Sequence, residues 1–402
     1  MKYWAGYITA VILGAITWAL GELAERYSTL VDMIYPYVAR NIQDVLAAWS
    51  GSVDFCLWQL ALLLIIILAL ASLVLIIALH WNPFRLIGWV AAGVSALVLL
   101  HTLLFGLNYH AGSIAADIRM DVYEYTVDEL ADAAEYYRDQ ANALAPQMNR
   151  DENGDLVYSD FETLAAQAGD GFGKLVRERS FSVFAGSTQP VKKLSWSGMY
   201  TAMGITGVTM GITGEAAVNP NIPVVSIPFT MCHEMAHRMC IAIEGDANFA
   251  AFLTASANES PEFQYSAYYM AYRYCYLALK NADTNAAVLA ADALATGNCA
   301  ELQHDLDAYS DFFRKNQDED ATRLANTAND TYLKVSGDEL GVASYNSVTD
   351  LLVSWHYQEE VLPTITEEEI TFDPKDETQV DLTTTQVPPE TEPATEEVTE
   401  GE

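Results

Sequence analysis

The chain has 402 residues, 51% of them hydrophobic, and a formal net charge of −34. So large an acidic excess argues against nucleic acid or anionic lipid headgroups as ligands. Five cysteines in a chain this long do not make a disulfide framework and read as small packing residues, with Cys232 a disfavoured alternative metal ligand.

Three apolar stretches dominate the first quarter, at about residues 3–20, 55–79 and 86–107. Each is long enough to cross a hydrocarbon core of about 30 Å as a helix, and none shows a polar face. The first lacks a small-residue cleavage site and reads as an uncleaved anchor in the lipid bilayer. Lys2 precedes the first span and Arg85 lies in the loop after the second, which places both in the cytoplasm. The acidic loop 21–54 and everything after residue 107 are then outside. The chain divides into a membrane region, 1–107, an extracytoplasmic domain, 108–362, and a tail, 363–402. In the tail acids alternate with Thr and Pro and carry roughly twelve of the negative charges, so it is expected to be disordered.

Within the domain, Ser113 to Gln147 and Leu164 to Ser180 read as helices. Between Lys193 and Thr230 the pattern changes: Gly198, Gly204, Gly207, Gly211 and Gly214 alternate with Ile, Val, Thr and Met. This predicts a small sheet, with Val224–Ile227 or Gly211–Val218 as an edge able to pair with an extended peptide. After Asp246 the chain reads as helices, broken near Ser260-Pro261, Asn281, Gly297, Asp318 and Gly337-Asp338.

His233-Glu234-Met235-Ala236-His237 is an HExxH motif in a helical segment. Histidines at i and i+4 project from one helical face, so both imidazoles reach a single metal ion. Glu234 then sits beside the water that such a metal activates and can take its proton. A catalytic Zn²⁺ wants a third protein ligand and an open position. Glu244, seven residues past His237, supplies it if the helix ends near Cys240 and another starts near Gly245; Asp246 competes for that role. Asn248, one turn after Glu244, is expected to hold a histidine ring by hydrogen bond, with Asp246 as the other residue of that outer shell. The bland alternative makes Glu244 and Asp246 acids favoured by the dipole of the next helix.

The runs Thr213–Asn219, Ile227–His237 and Glu244–Phe249 resemble domain of unknown function 3810, a group of bacterial membrane proteins with a zincin-like HExxH signature. The similarity continues in Gly106–Tyr109, Tyr265-Ser266, Tyr332–Lys334, Gly341–Tyr345 and Val348–Leu352, and spans most of residues 1–360. It implies a metallopeptidase fold and carries no substrate. One departure stands out: Cys240 occupies the position where a helix-ending Gly is expected.

A metallopeptidase also needs a donor for the developing oxyanion. Tyr265 is the first candidate, although six tyrosines between 265 and 276 equally fit aromatic packing. Glu215 and Asn219 either border the cleft or serve a hairpin turn.

These readings converge on an α+β, mostly α chain: three transmembrane helices followed by a zincin-like domain with a small sheet before the HExxH helix. The expected function is that of a membrane-anchored zinc metallopeptidase acting on a peptide or protein substrate. His233, His237 and Glu244 hold Zn²⁺, and Glu234 is the general base. The alternative from another class is a membrane sensor or scaffold with a structural or vestigial zinc site, motivated by Cys240. An intramembrane protease is weaker, because Pro220, Pro223, Pro228, Arg238, Glu244 and Asp246 flank the motif.

Overall fold

The computed structural model describes residues 3–79, 82–282, 284–338 and 347–361. Lys2, Gly341–Tyr345 and the acidic tail 363–402 lie outside the described residues.

The chain opens with four long helices, α1 (Ala5–Arg26), α2 (Ser28–Ser50), α3 (Leu57–Leu79) and α4 (Pro83–Leu104). Of these, α1, α3 and α4 are long and apolar enough to cross a membrane. The first and last pack against each other where glycines permit it. A Cβ on Gly6 would lie 2.4 Å from the Gly88 carbonyl carbon, so only a bare backbone fits that crossing. By contrast α3 buries only Gln59 among its described side chains, bonded to Ser195 and to the Tyr200 hydroxyl at the helix start.

Residues 21–54, expected as a loop, are mostly the helix α2. The sequence hid it because its buried face is interrupted by Pro36 and carries Arg40 and Gln43 rather than an apolar stripe. Cys56, expected inside a span, lies just before α3 with its thiol 3.5 Å from the Lys193 carbonyl.

The domain continues through α5 (Ile114–Asp117), α6 (Val127–Leu144), α7 (Phe161–Gln167) and α8 (Asp170–Arg179). The single long helix expected from Ser113 is thus divided. Thr126 and Glu129 form a capping box that starts α6 afresh, each side chain bonding the other's backbone N–H. Three short strands and a helix follow: β1 (Lys192–Lys193), α9 (Ser197–Ala202), β2 (Gly207–Met210) and β3 (Glu215–Val218). The sheet order is β1-β3-β2, with β1 parallel and β2 antiparallel to β3, so β2 is an edge. The expected edges were elsewhere: Val224–Ser226 is a 3₁₀ turn and Glu215–Val218 the central strand.

The rest is helical: α10 (Ile227–Arg238), α11 (Glu244–Ala257), α12 (Pro261–Asn281), α13 (Asn285–Ala295), α14 (Ala300–Asn316), α15 (Glu319–Ser336) and α16 (Ser347–His356). In the core Met231 and Met235 of α10, Phe249 of α11, Phe263 and Tyr269 of α12, and Leu130 and Tyr137 of α6 pack together. Every residue of α11 from Glu244 to Ala255 is buried, so this helix is enclosed by protein on all sides.

Two polar clamps join the helices of the first quarter to the domain. The Glu215 carboxylate accepts hydrogen bonds from Leu57 N (2.7 Å) and Trp58 N (3.0 Å), satisfying free amides at the start of α3. Lys192 pairs with Glu215 at 2.7 Å and also donates to the Ser50 and Phe55 carbonyls. On the other side, Gln43 Nε2 donates to the carbonyls of Leu104 and Gly211. Glu215 is therefore a structural anchor and not a cleft residue. Asn219, likewise, bonds Thr201 and Ile205 and accepts from Asn221 N within the turn.

Candidate metal centre and its cavity

Helix α10 presents His233 and His237 on one face because they are four residues apart. It ends where Cys240 takes a left-handed conformation with φ of 72°. Ile241 N bonds Ala236 O at 3.1 Å and Cys240 N bonds His237 O at 2.8 Å, the paired bonds of a Schellman turn. The turn expected of a glycine is thus made by Cys240 itself. It reverses the chain so that Glu244, the first residue of α11, returns to the two histidines.

His233 Nε2 lies 3.0 Å from His237 Nε2, and Glu244 Oε2 lies 3.3 and 3.4 Å from these nitrogens. His237 Nδ1 is 2.8 Å from the Ile241 carbonyl, which can only accept, so this nitrogen carries the proton. In the neutral ring the Nε2 lone pair then faces His233. Glu244 Oε2 is buried and makes no hydrogen bond. Two imidazole nitrogens and an unpartnered carboxylate oxygen this close call for a positive charge between them. The site's electrostatics express the same demand. Burial would lower the pKa of His237, but the Glu244 carboxylate overrides it and raises it to about 9. Burial would raise Glu244, but the imidazoles hold it well below the usual carboxylate range.

The triangle also has the size of a ligand set. Ligands at about 2.0–2.1 Å from a tetrahedral ion stand about 3.3 Å apart, close to the three observed edges. Among the described residues, this is the one group of three His, Cys, Asp or Glu donors placed to hold a metal ion.

Glu234 is 4% exposed, and its Oε2 is 2.7 Å from Thr209 Oγ1 on β2. Burial raises its pKa, against the lowering effect of the neighbouring histidines and Thr209. Across the carboxylate lies Gly207, where a Cβ would stand 2.2 Å from Glu234 Oε1. Neither Gly207 nor Thr209 was singled out in the sequence as a partner of Glu234. The glycine looked like one turn signal among several, and only the pairing of β2 with β3 turns it toward α10.

These groups line a cavity of about 390 Å³, together with Phe105, Tyr109, Arg273, Tyr274, Tyr309 and Tyr332. The remaining expected site residues sit differently. Asp246 does not join the histidines: it accepts from Ser113 Oγ and Ile114 N, capping α5, and burial pushes its pKa up to about 6. Asn248 lines the cavity, but His237 is oriented by a backbone carbonyl instead. His233 Nδ1 and Asn248 Nδ2 are both buried without a hydrogen-bond partner. Tyr265 is fully buried outside the cavity lining, its hydroxyl 2.5 Å from Asp305 Oδ2, and Asp305 in turn pairs with Arg150 at 2.7 Å. It belongs to the packing of α12 on α14.

Residues 31–353 match the family model described as protein of unknown function (DUF3810). No curated protein and no solved structure matches the chain.

Proposed function

We propose, for a chain that belongs to the family of proteins of unknown function DUF3810 and whose chemistry must be read from its own site, a membrane-anchored zinc-dependent metallopeptidase. The observation that carries this reading is the triangle of His233 Nε2, His237 Nε2 and Glu244 Oε2 beside the buried Glu234. Two imidazoles and one carboxylate suit Zn²⁺ and leave a coordination position for water or substrate. Bound there, zinc would polarise a peptide carbonyl and acidify a water.

The protein's own groups supply the rest. Glu234 takes a proton from the attacking water and later passes it to the leaving amine. Its burial favours a pKa nearer neutrality than that of an exposed glutamate, which suits a base that must also act as an acid. Thr209 and Gly207 restrict where its carboxylate can lie. The free edge of β2 runs along the cavity and offers backbone groups to an extended peptide. With Tyr265 turned into the core, the oxyanion donor is assigned instead to the cavity wall, and Tyr332 is the candidate. It lines the cavity, where burial first, and to a smaller extent the Glu244 charge, raises the pKa of its hydroxyl.

We place the domain outside the cytoplasm on the basis of Lys2 and Arg85. The sensor or scaffold alternative was motivated by Cys240, and that motive falls away once Cys240 itself makes the left-handed turn. The test is metal analysis with a peptide-library assay. Wild type should carry about one zinc per chain, set by the one three-donor site among its described residues, and His233→Ala should lose it. Glu234→Gln should keep the metal and lose about 10²- to 10⁴-fold in hydrolysis. Metal-loaded protein that cuts nothing favours a scaffold with structural zinc, and protein without zinc ends the peptidase reading and leaves a scaffold with a vestigial site.

A further inference from the structure

Helix α2 is amphipathic in the reverse sense to a helix on the surface of a water-soluble domain. Its domain-facing side carries the polar groups. Arg40 donates from Nε to the Met239 carbonyl (3.2 Å) and from a terminal nitrogen to the Ser182 carbonyl (3.0 Å), and Gln43 is buried. Its outward side carries Leu30, Met33, Ile34, Tyr37, Val45 and Trp49, each between 53% and 70% exposed. Spacings of three and four place them on one stripe. The one charged residue among the exposed positions of α2 is Asp32, and it accepts from Gly112 N at 2.8 Å. Exposed Asn41 lies between Tyr37 and Val45 on this stripe, and an otherwise apolar stripe of this length marks a contact surface.

What covers it follows from where the helix is fixed. Only Tyr27 separates α2 from the end of α1, and α3 begins at Leu57, so α2 is tied at both ends to helices able to cross a membrane. Tyr35 Oη donates to the carbonyls of Thr102 (3.2 Å) and Leu103 (3.0 Å) in the last turn of α4, a third such helix. The helix therefore lies at the level where these spans leave the hydrocarbon, and its uncovered stripe continues their apolar surface. The cavity is held at the same level. Phe105, the residue after α4, lines it, and so does Tyr332, whose hydroxyl is 2.9 Å from His101 Nε2 inside α4.

We propose that the Leu30–Trp49 face of α2 is embedded in the bilayer interface and seats the cavity against the membrane. The polypeptide hydrolysed is then one anchored in the same membrane, an assignment that rests on the peptidase reading. Confinement to the membrane surface raises the effective concentration of such a substrate at the cavity, as a tether does. No exposed Lys or Arg lies on the stripe, and the chain is strongly acidic. The attachment therefore depends on apolar burial and not on headgroup charge.

The embedding is read without any activity. Spin labels are placed singly at Leu30, at Val45 and, as a control, at Leu324 on α15, which is 71% exposed. The full chain carries Cys299→Ser, because the other four cysteines are buried. In phosphatidylcholine nanodiscs, labels at Leu30 and Val45 should collide more with oxygen than with a water-soluble nickel chelate, and the Leu324 label should show the reverse. Adding phosphatidylglycerol should change neither result. Nickel access at Val45 equal to that at Leu324 overturns the proposal. So does spin–spin broadening between chains, which would mean that a second copy covers the stripe.

The substrate assignment is read by giving the same cleavable peptide either free or fused to a transmembrane helix. The fused form should be cut at least tenfold faster by wild type, and Val45→Asp should reduce that ratio while leaving the rate on the free peptide unchanged. Equal rates on the two forms overturn the assignment. Cleavage of neither removes the peptidase reading and the assignment with it, while the embedding still stands or falls on the spin labels.

Discussion

Gly207 and Glu234 are in such close contact that a methyl group on the first would stand 2.2 Å from a carboxylate oxygen of the second. Glu234 also has its other oxygen on Thr209, from the same strand. The edge strand therefore fixes the proposed base from two directions. Gly207→Ala should leave the fold and the zinc content intact, because the obstructed atoms are the end of one side chain. The carboxylate must move, and a displaced base should lower kcat by about 10- to 100-fold. Steady-state kinetics beside metal analysis checks this. An unchanged kcat would mean that the position of Glu234 is not critical.

The site was partly legible because a helix converts spacing into direction. His233, Glu234 and His237 needed only the i, i+4 rule, and Glu244 needed only a chain reversal within seven residues. Asp246 and Tyr265 were misplaced for the opposite reason: their partners are distant in sequence. Ile114 N claims Asp246 from 132 residues away, and Asp305 claims Tyr265 from 40 away. The three apolar spans could be read from length and composition, whereas α2 could not. Its buried side is polar and its apolar side is exposed, which inverts the pattern that periodicity detects. The helix breaks after Asp246 followed local chemistry at Pro261 and Gly337 and were readable for that reason.

Cys240 holds the return turn in a conformation that costs an ordinary residue about 1–2 kcal/mol. Cys240→Gly should remove that strain, offset by the loss of a small buried thiol, and so leave stability equal or raised by up to about 1 kcal/mol. Cys240→Val adds a β-branch where φ is positive and should destabilise by about 1–2 kcal/mol. Thermal unfolding of the detergent-solubilised protein ranks the two. A valine variant as stable as wild type would show that the turn tolerates another geometry.

The Lys192–Glu215 pair is buried on both sides, with side chains 8% and 0% exposed, and it holds the start of α3 to the sheet. Lys192→Met leaves a buried carboxylate without its cation and should cost about 3–5 kcal/mol. Lys192→Met combined with Glu215→Gln removes both charges and should recover a substantial part of that loss. If the double variant is no better than the single one, the carboxylate's bonds to Leu57 N and Trp58 N matter more than the ion pair.

Tyr265 is the oxyanion donor expected from the sequence and Tyr332 the one proposed in its place, and a pair of substitutions separates the two. Tyr265 donates to Asp305 in the core, where Asp305 is also gripped by Arg150. Tyr265→Phe removes a hydrogen bond to a buried charge and should cost about 1.5–3 kcal/mol of stability, with hydrolysis and zinc content unchanged. Tyr332 lines the cavity. As the proposed oxyanion donor, it should lose about 10²- to 10³-fold in kcat on substitution by Phe, with KM little altered. Its bond to His101 is lost as well, at a cost of about 1 kcal/mol in stability. Measuring kcat, KM and melting temperature for both variants gives opposite patterns if the assignment holds. A Tyr332→Phe enzyme of full activity would return the search for the donor to the other tyrosines of the cavity wall.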